Sequence, residues 1–291
     1  MSASDVGFIT MAYGGQRYLD QAISLARSVK LHMPAQKIAL VTDRDTRIEP
    51  FDEQIRMKDF SAAGTVLKRK MYEYSPFEET LFIDSDCLLT RDCTDQIDAI
   101  RKWDFSPVVN TYLVAGDTDL WLEDVGEAVR KVGGTNFPKF NGGVYFFRKG
   151  DVAARVFAGG EEMLERQSEL GILDFDKAGP GEETLLGLAM AQIGISDLYD
   201  DEGRLMRTPL NATGPIHLDI YGGECSFEKN GERVEPAVVH FCGEWIDHPA
   251  YVIACKELAN GARLSAFERV AIETSYKARK LSGKVARKLG A

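Results

Sequence analysis

The first 42 residues constrain the fold more than any other stretch of the chain. Residues 7–13 form an apolar run typical of a buried strand, and the two glycines that follow predict a turn. Residues 18–29 then carry apolar side chains at the spacing of an amphipathic helix, and residues 38–41 predict a second buried strand. A strand, a helix and a strand in this order predict a βαβ unit, and therefore a parallel sheet.

A second feature is the apolar segment 81–83, which ends in two carboxylates, Asp84 and Asp86. Side chains two residues apart in an extended chain point to the same side, so these acids should converge while Ser85 points away. Ligand sites in open α/β sheets lie beyond the carboxyl ends of the strands. The pair is therefore a candidate seat for a hard divalent cation, and the alternative is an ordinary turn at a strand end.

The chain contains four Asp-x-Asp triplets, so the spacing alone is not specific. The triplet at Asp43 has an arginine between its acids, and those at Asp117 and Asp174 lie in loop sequence. Only the triplet at Asp84 has apolar residues on both sides. This context predicts a partly buried acid pair that needs a counter-charge.

Later segments place further polar side chains beside apolar ones. Segment 140–147 predicts a strand that begins Phe-Asn-Gly-Gly, whose glycines would either form a hairpin or bulge or let Asn141 line a pocket. Segment 238–240 is a short apolar strand that ends in a candidate ligand, His240. Glu182 and Glu183 open a predicted helix, where the helix dipole favours acids whatever their function.

Charge and composition exclude some classes of protein. The net charge of −10 argues against a general nucleic-acid binder, and five cysteines without CxxC spacing disfavour a disulfide framework or a zinc site. The sequence shows neither a secretory signal nor an apolar run long enough to span a membrane. We therefore expect a soluble, cytoplasmic protein.

The last thirty residues differ from the rest in charge. Residues 262–291 carry +6, which leaves −16 on the body of the chain. An apolar stripe runs beside lysines in the tail; it consists of Ala278, Leu281, Val285 and Leu289, next to Lys277, Lys280, Lys284 and Lys288. This pattern is typical of a helix on an anionic membrane surface, and the alternative is a solvated helix that packs on the body.

Taken together, these segments resemble the GT-A fold, and specifically the retaining glycosyltransferases of family 8, the glycogenin and bacterial galactosyltransferase group. The segments that carry the resemblance follow the family's order over about residues 6 to 250; they are Phe8-Ile-Thr-Met-Ala-Tyr13, 18–28, 76–86, Phe140-Asn-Gly-Gly-Val144, Gly181-Glu-Glu-Thr-Leu-Leu186 and His240-Phe-Cys-Gly243. The resemblance implies an α/β, Rossmann-like GT-A domain with a mixed, mostly parallel central sheet. We assign this domain to residues 1–258 and a basic amphipathic helical tail to residues 259–291.

The resemblance also implies a function and a site. It implies that Asp84, Asp86 and His240 hold Mn²⁺, with Mg²⁺ as the alternative, and that the ion grips the diphosphate of a nucleotide sugar. Contacts with this donor are implied for Thr10, Ala12, Tyr13, Lys70, Asp84, Ser85, Gly142 and Gly243. The transferred sugar would contact the candidate catalytic residues Asn141, Glu182 and Glu183. We expect transfer of a hexose from a UDP-sugar to a glycan or glycolipid acceptor, with retention of configuration, at or near the inner face of the membrane.

The sequence departs from the family's pattern where the diphosphate would bind. Many relatives carry a lysine shortly after the His-x-x-Gly segment, whereas here Gly243 is followed by Glu244. Neutralisation of the phosphates would then be weaker, or would fall to Lys68, Lys70 or Arg17. Lys68 and Lys70 belong to a predicted helix over residues 62–74.

A second departure concerns the reacting carbon. The position that is often glutamine in the family corresponds to Glu183, and a carboxylate there could stabilise an oxocarbenium ion or attack it. Two other functions are compatible with the sheet: a sugar nucleotidyltransferase, and an inactive nucleotide- or carbohydrate-binding module. The first is disfavoured because no long, basic, glycine-rich loop follows the first strand. The candidate metal ligands argue against the second.

Overall fold

The computed structural model describes residues 6–57, 64–175 and 179–288 of the chain. Its strands are β1 Val6–Ala12, β2 Ile38–Thr42, β3 Glu53–Arg56, β4 Glu79–Ile83, β5 Cys87–Leu89, β6 Phe105–Leu113, β7 Phe137–Arg148, β8 Met206–Arg207, β9 Ala212–Asp219, β10 Glu224–Lys229, β11 Glu232–Val234 and β12 Val238–His240. Its α-helices are α1 Gln16–His32, α2 Met71–Tyr74, α3 Thr94–Ile100, α4 Val125–Val132, α5 Asp151–Glu165, α6 Gln167–Leu170, α7 Glu182–Gln192, α8 Pro249–Asn260 and α9 Ala266–Lys288. Two 3₁₀ helices cover Gly64–Lys70 and Gly243–Asp247.

The central sheet confirms the predicted βαβ unit and the mixed, mostly parallel arrangement. Its strand order is β3-β2-β1-β4-β7-β6. Strand β1 pairs in parallel with β2 and β4, and β2 pairs in parallel with β3. Strand β7 is antiparallel to both β4 and β6. Because α1 returns the chain from the end of β1 to the start of β2, the carboxyl ends of β1, β2 and β4 lie on one edge of the sheet.

Both faces of this sheet are covered, which explains why its inner strands read as continuous apolar runs. Phe8 packs with Leu25 of α1 on one face, in a fully buried cluster. Ile9 and Phe82 belong to the cluster on the opposite face, together with Leu186 of α7. Every residue of β1, β2 and β4 is buried. The apolar segment 81–83 therefore belongs to a strand that is covered on both faces.

A small sheet holds the chain immediately after β4. Strand β12 is antiparallel to β5 and parallel to β8, and its register sets His240 opposite Cys87. Strands β9, β10 and β11 form a separate antiparallel sheet. Because β5 begins directly after Asp86, its pairing with β12 places the carboxyl end of β4 close to the carboxyl end of β12.

The predicted helix over residues 62–74 differs from the structure. Residues 62 and 63 lie outside the described part, and the rest forms the 3₁₀ helix followed by the short α2. A 3₁₀ helix has three residues per turn, so Val66 and Arg69 share a face. The Arg69 side chain is buried and its Nε lies 2.7 Å from Glu161 Oε2. Lys68, one residue earlier, points in a different direction.

A short loop that begins at Gly261 joins the two C-terminal helices. Helix α8 ends at Gly261, which adopts the left-handed conformation with φ 67°. The capping box forms: Glu268 N donates to Ser265 Oγ at 3.3 Å, and Ser265 N donates to Glu268 Oε2 at 2.8 Å. The buried carboxylate of Glu257 accepts hydrogen bonds from Leu264 N and from Arg269.

Farther along, α9 contacts the second 3₁₀ helix. Lys280 Nζ lies 2.7 Å from Glu244 Oε2, and the ring of Tyr276 lies 5.5 Å from that of His248. Leu281 is 66% exposed, whereas the side chains of Lys284, Val285 and Lys288, and residue Leu289, lie outside the described part of the structure. No helix among the described residues is long and apolar enough to cross a membrane.

Candidate active site

The turn between β4 and β5 is held in place by backbone hydrogen bonds to two neighbouring strands. Asp84 N donates to the carbonyl of Gly143 in β7 at 2.9 Å, and Phe241 N donates to the carbonyl of Asp86 at 3.1 Å. Both partners lie next to polar side chains of their own, Asn141 and His240. These backbone hydrogen bonds therefore bring four candidate functional residues close together: Asp84, Asp86, Asn141 and His240.

Asp84, Asp86 and His240 meet at this point. His240 Nε2 lies 3.0 Å from Asp86 Oδ1 and 3.7 Å from Asp84 Oδ2. The other ring nitrogen, Nδ1, lies 2.6 Å from Asn141 Oδ1, which also accepts a hydrogen bond from Gly143 N at 3.1 Å. Because an amide oxygen can only accept, Nδ1 carries the proton and Nε2 faces the two carboxylates. This is the orientation that a metal-binding imidazole receives from its outer partner.

The charges of these groups depend on one another. Burial lowers the pKa of His240, but Asp86 and Asp84 act in the opposite direction and the net pKa is raised. Burial raises the pKa of Asp86, yet the neighbouring His240 brings it below its ordinary value. The imidazolium of His240 is therefore the positive partner of the buried Asp86 Oδ1, and a divalent cation between the two groups would replace it in that role.

The donor set fits a hard divalent cation. Two oxygens and one imidazole nitrogen are ligands that Mn²⁺ and Mg²⁺ accept. Ligand atoms about 2.1 Å from an octahedral ion lie about 3 Å apart, which matches the separation of His240 Nε2 and Asp86 Oδ1. Cys87 Sγ also lies within 4.8 Å of the ligand atoms of Asp86 and His240. Burial raises the pKa of this thiol well above its usual range, which favours the neutral thiol while no cation is bound.

Lys68 joins the candidate metal ligands to the start of α7. Its Nζ contacts Asp84 Oδ2 and lies 3.2 Å from Glu182 Oε1. Burial lowers the pKa of Lys68, but Asp84 and Glu182 raise it well above the usual value, so the ammonium is charged. Burial is also the largest influence on Glu182, whose pKa rises to about 7 although Lys68 opposes the shift. Lys68 is therefore a fixed cation between two buried carboxylates.

Glu183 is held against the backbone of β7. Its Oε1 accepts a hydrogen bond from Gly142 N at 2.7 Å, and Asn141 Nδ2 lies 3.4 Å from the same oxygen. A Cβ on Gly142 would lie 2.5 Å from Glu182 Oε1, and one on Gly143 would overlap His240 Nδ1. The two glycines therefore allow a close approach of the strand to Glu182 and to His240.

The other predicted donor-binding residues lie around this centre at different depths. Thr10 and Ala12 are buried in β1, and the hydroxyl of Thr10 has no hydrogen-bond partner among the described residues. Tyr13 is half-buried at the end of that strand. Ser85 is buried within the turn, and Gly243 adopts the left-handed conformation with φ 62°. Lys70 is half-buried at the end of the first 3₁₀ helix, two residues beyond Lys68.

Sequence reasoning missed part of the surroundings. It treated Lys68 as one of three interchangeable cations, although it is the one that contacts Asp84 and Glu182. The apolar pattern of segment 62–74 could not identify it, because that choice depends on the winding of a 3₁₀ helix. It also missed Cys242, whose Sγ lies 3.4 Å from Thr208 Oγ1. A half-buried thiol two residues after His240 was the available signal.

Comparison with solved structures places the chain in a known fold. The galactosyltransferase LgtC in complex with donor and acceptor sugar analogues aligns with 91% of this chain and 99% of its own, at 17% identity and a TM-score of 0.50. An active-site Gln-to-Glu mutant of LgtC gives the same values. The glycosyltransferase GlyE of Streptococcus pneumoniae TIGR4 aligns with 68% of this chain and 45% of its own, at 15% identity and a TM-score of 0.42.

No family model matches the sequence, and no curated protein sequence is detectably similar to it. At 17% identity the likeness to LgtC shows the fold and not the reaction. The chain therefore has the GT-A fold that the sequence resemblance implied.

Proposed function

We propose that this GT-A chain is a metal-dependent glycosyltransferase, which moves a hexose from a UDP-sugar to a glycan or glycolipid acceptor with retention of configuration. One observation carries the proposal. Asp84 and Asp86, in the turn after β4, converge on His240 at the end of β12, whose Nε2 lies 3.7 Å from Asp84 Oδ2 and 3.0 Å from Asp86 Oδ1. The candidate cation site thus lies at the carboxyl ends of the strands, which is where open α/β sheets bind their ligands.

Asp84, Asp86 and His240 would hold Mn²⁺, or alternatively Mg²⁺, as the resemblance to family 8 implies. When bound, such an ion acts as a Lewis acid toward the diphosphate of the donor. The protein's contribution to the site is rigidity: Asn141 fixes the ring of His240, and the backbone of Gly143 fixes Asp84.

Lys68 provides a second positive charge beside the ligands. Its ammonium is buried between Asp84 and Glu182, so it keeps its position when a negatively charged substrate arrives. This favours Lys68 over Lys70 and Arg17 as the residue that replaces the lysine missing after Gly243. Glu182, on the far side of Lys68, faces the same space from the first turn of α7.

Glu183 is suited to stabilise positive charge on the reacting sugar. Its carboxylate is oriented by Gly142 N and lies next to Asn141. A carboxylate with a fixed direction can stabilise an oxocarbenium-like transition state without reorganising. With an oriented carboxylate and an amide beside it, we assign sugar contacts to Asn141, Glu182 and Glu183.

A thermal-shift screen tests the proposal directly. UDP-glucose, UDP-galactose and UDP-N-acetylglucosamine are added to chelator-treated protein, with and without Mn²⁺. A ligand at one hundred times its dissociation constant stabilises the fold by about 2.7 kcal/mol, so binding is visible. We expect stabilisation only when donor and metal are present together, followed by slow release of UDP and free sugar. Equal stabilisation without metal would contradict the proposal, and release of pyrophosphate from UTP and a sugar phosphate would indicate a nucleotidyltransferase instead.

A further inference from the structure

Two cations lie at the short strand β8, which pairs with the strand that carries His240 and has no part in the proposed function. Strand β8 runs parallel to β12 with Arg207 level with Val239, so Thr208 follows beside His240. Lys229, the last residue of β10, donates from Nζ to the carbonyl of Thr208 at 2.7 Å. Two separate segments, β8 with the following Thr208 and the end of β10, therefore bring Arg207 and Lys229 to one place.

Neither cation has a counter-charge within the described part of the chain. Arg207 Nη1 reaches Asn110 Oδ1 only at 3.5 Å, and no carboxylate oxygen lies within 4.0 Å of either cationic group. Both side chains are half-buried. Burial lowers the pKa of Lys229, and the proximity of Arg207 lowers it further. Two neighbouring, partly desolvated like charges are costly, particularly in a protein of net charge −10 where acids are abundant.

The loop before β8 constrains the position of the Arg207 side chain. Gly203 has φ 78°, and a Cβ at this position would overlap Nε of Arg207. The arginine stem therefore lies directly against the loop before β8. That loop is in turn organised by Asp201, whose carboxylate accepts hydrogen bonds from Gly203 N at 2.9 Å and from Leu205 N at 2.6 Å. Arg207 is thus a placed side chain rather than a mobile surface arginine.

The pair borders the candidate active site. The Cys242 thiol lies 3.4 Å from Thr208 Oγ1. Cys242 follows His240 by two residues, and the carbonyl of Thr208 holds Lys229 Nζ, so this contact joins the strand end that carries His240 to the two cations. An anion held by the two cations would lie at the rim of the reaction centre.

We propose that Arg207 and Lys229 form a subsite for an oxyanion of the phosphate class that is part of a substrate. An arginine fork and a lysine ammonium are the side chains that bind such groups in proteins. The anion has two sources under the proposed function, on which this assignment of the ligand rests: the diphosphate of the donor, or an acidic group on the acceptor. The two cations belong to β8 and β10, outside the central sheet.

The test uses full-length protein and two probes, UDP with Mn²⁺ and sodium sulfate, which does not precipitate Mn²⁺. Arg207→Gln and Lys229→Met are compared with the wild type. UDP affinity is measured by calorimetry without sulfate, and sulfate affinity is measured both without UDP and with saturating UDP and Mn²⁺. Loss of one charge-assisted hydrogen bond should weaken the affected probe about tenfold.

The result identifies the source of the anion. Weaker UDP binding in both variants, together with competition between sulfate and UDP in the wild type, supports the donor diphosphate. Unchanged UDP binding, with sulfate still bound to the UDP complex and weakened in both variants, supports an acidic acceptor. Unchanged affinity for both probes overturns the subsite.

Matched controls separate this subsite from general charge and from the proposed function. Arg155→Gln and Lys256→Met remove the same charges from exposed helix positions and should alter neither probe. General stabilisation by sulfate would appear equally in these controls, and such equality also overturns the subsite. If UDP and Mn²⁺ do not bind at all, the proposed function fails, while the sulfate arm without UDP still decides whether Arg207 and Lys229 bind an oxyanion.

Discussion

The contact between Asp86 and His240 allows the candidate metal site to be tested by the removal of one charge. Asp86 Oδ1 lies 3.0 Å from His240 Nε2, and an amide of the same shape at position 86 would let the imidazole become neutral, so that no unpaired charge would stay buried. We expect Asp86→Asn to remove Mn²⁺-dependent donor binding and to leave the melting temperature of the metal-free protein within about 2 °C of the wild type. Calorimetry with Mn²⁺ and UDP, and a melting curve without them, provide the two measurements.

Asp45→Asn is the matched control for this variant. It changes an acid of another Asp-x-Asp triplet whose side chain is 86% exposed, and donor binding should not change. If Asp86→Asn still bound donor in a Mn²⁺-dependent manner, the assignment of the ligands would be wrong.

Glu183 permits a second prediction at the scale of one residue. Glu183→Gln keeps an oxygen that can accept the hydrogen bond from Gly142 N but removes the negative charge. We expect turnover to fall about a hundredfold or more while donor affinity stays within a factor of about three, because the charge is needed mainly in the transition state. Steady-state kinetics and UDP-sugar calorimetry test this difference.

The stereochemistry of the product tests the same residue independently. The NMR signal of the anomeric proton of the released free sugar, recorded before mutarotation, should show that the configuration at the anomeric carbon is retained. An inverted product would contradict both the family-8 resemblance and the role assigned to Glu183.

At the scale of elements, strand β7 is the part that holds the site together. Its glycines lie against His240 on one side and against Glu182 on the other. Because a methyl group at position 143 would overlap His240 Nδ1, we expect Gly143→Ala to displace the ring, to destabilise the fold by about 1–3 kcal/mol and to weaken Mn²⁺ binding at least tenfold. Chemical denaturation and Mn²⁺ titration measure the two effects.

Gly150→Ala is a suitable control, since nothing lies within 4 Å of a Cβ at that position and its backbone is extended. Its free energy of unfolding and its affinity for Mn²⁺ should be close to those of the wild type. Wild-type metal affinity in Gly143→Ala would show that His240 does not depend on this contact.

Elements also set the limit of what the sequence could predict. Apolar strands that end in polar residues can be recognised from a sequence. Such strand ends bring Asp84, Asp86 and His240 together, so this part of the site could be predicted. Arg207 and Lys229 escaped attention because β8 has two residues and β10 alternates weakly, so neither element shows a clear period. Lys68 was one of three candidate cations and could not be distinguished from Lys70 and Arg17, because the winding of a 3₁₀ helix cannot be predicted from an apolar pattern.

At the scale of the whole molecule, the basic tail differs from the acidic body. Phe267 is 82% exposed and Val270 is 58% exposed on α9, and Leu281 lies farther along the same helix. We expect the full-length chain to sediment with vesicles that contain anionic lipid and not with neutral vesicles, because Lys and Arg near such a surface contribute about 1 kcal/mol each. Sedimentation at two salt concentrations tests the electrostatic part.

The control for this experiment exchanges charge without shortening the chain. Lys277→Glu with Arg279→Glu should reduce sedimentation strongly, whereas Arg155→Glu on α5 should not. Equal sedimentation of all three proteins would favour the alternative, a solvated helix that packs on the body.

The hydrogen bonds of Glu257 limit where the C-terminal tail can be removed or replaced. The change in charge after residue 258 invites a fusion junction there, yet the partners of this buried carboxylate, Leu264 N and Arg269, come from beyond it. A junction at that point would leave a buried acid without partners, at a cost of about 3–5 kcal/mol. Chimaeras that keep the native chain through Arg269 should fold, and those joined earlier should accumulate as insoluble protein.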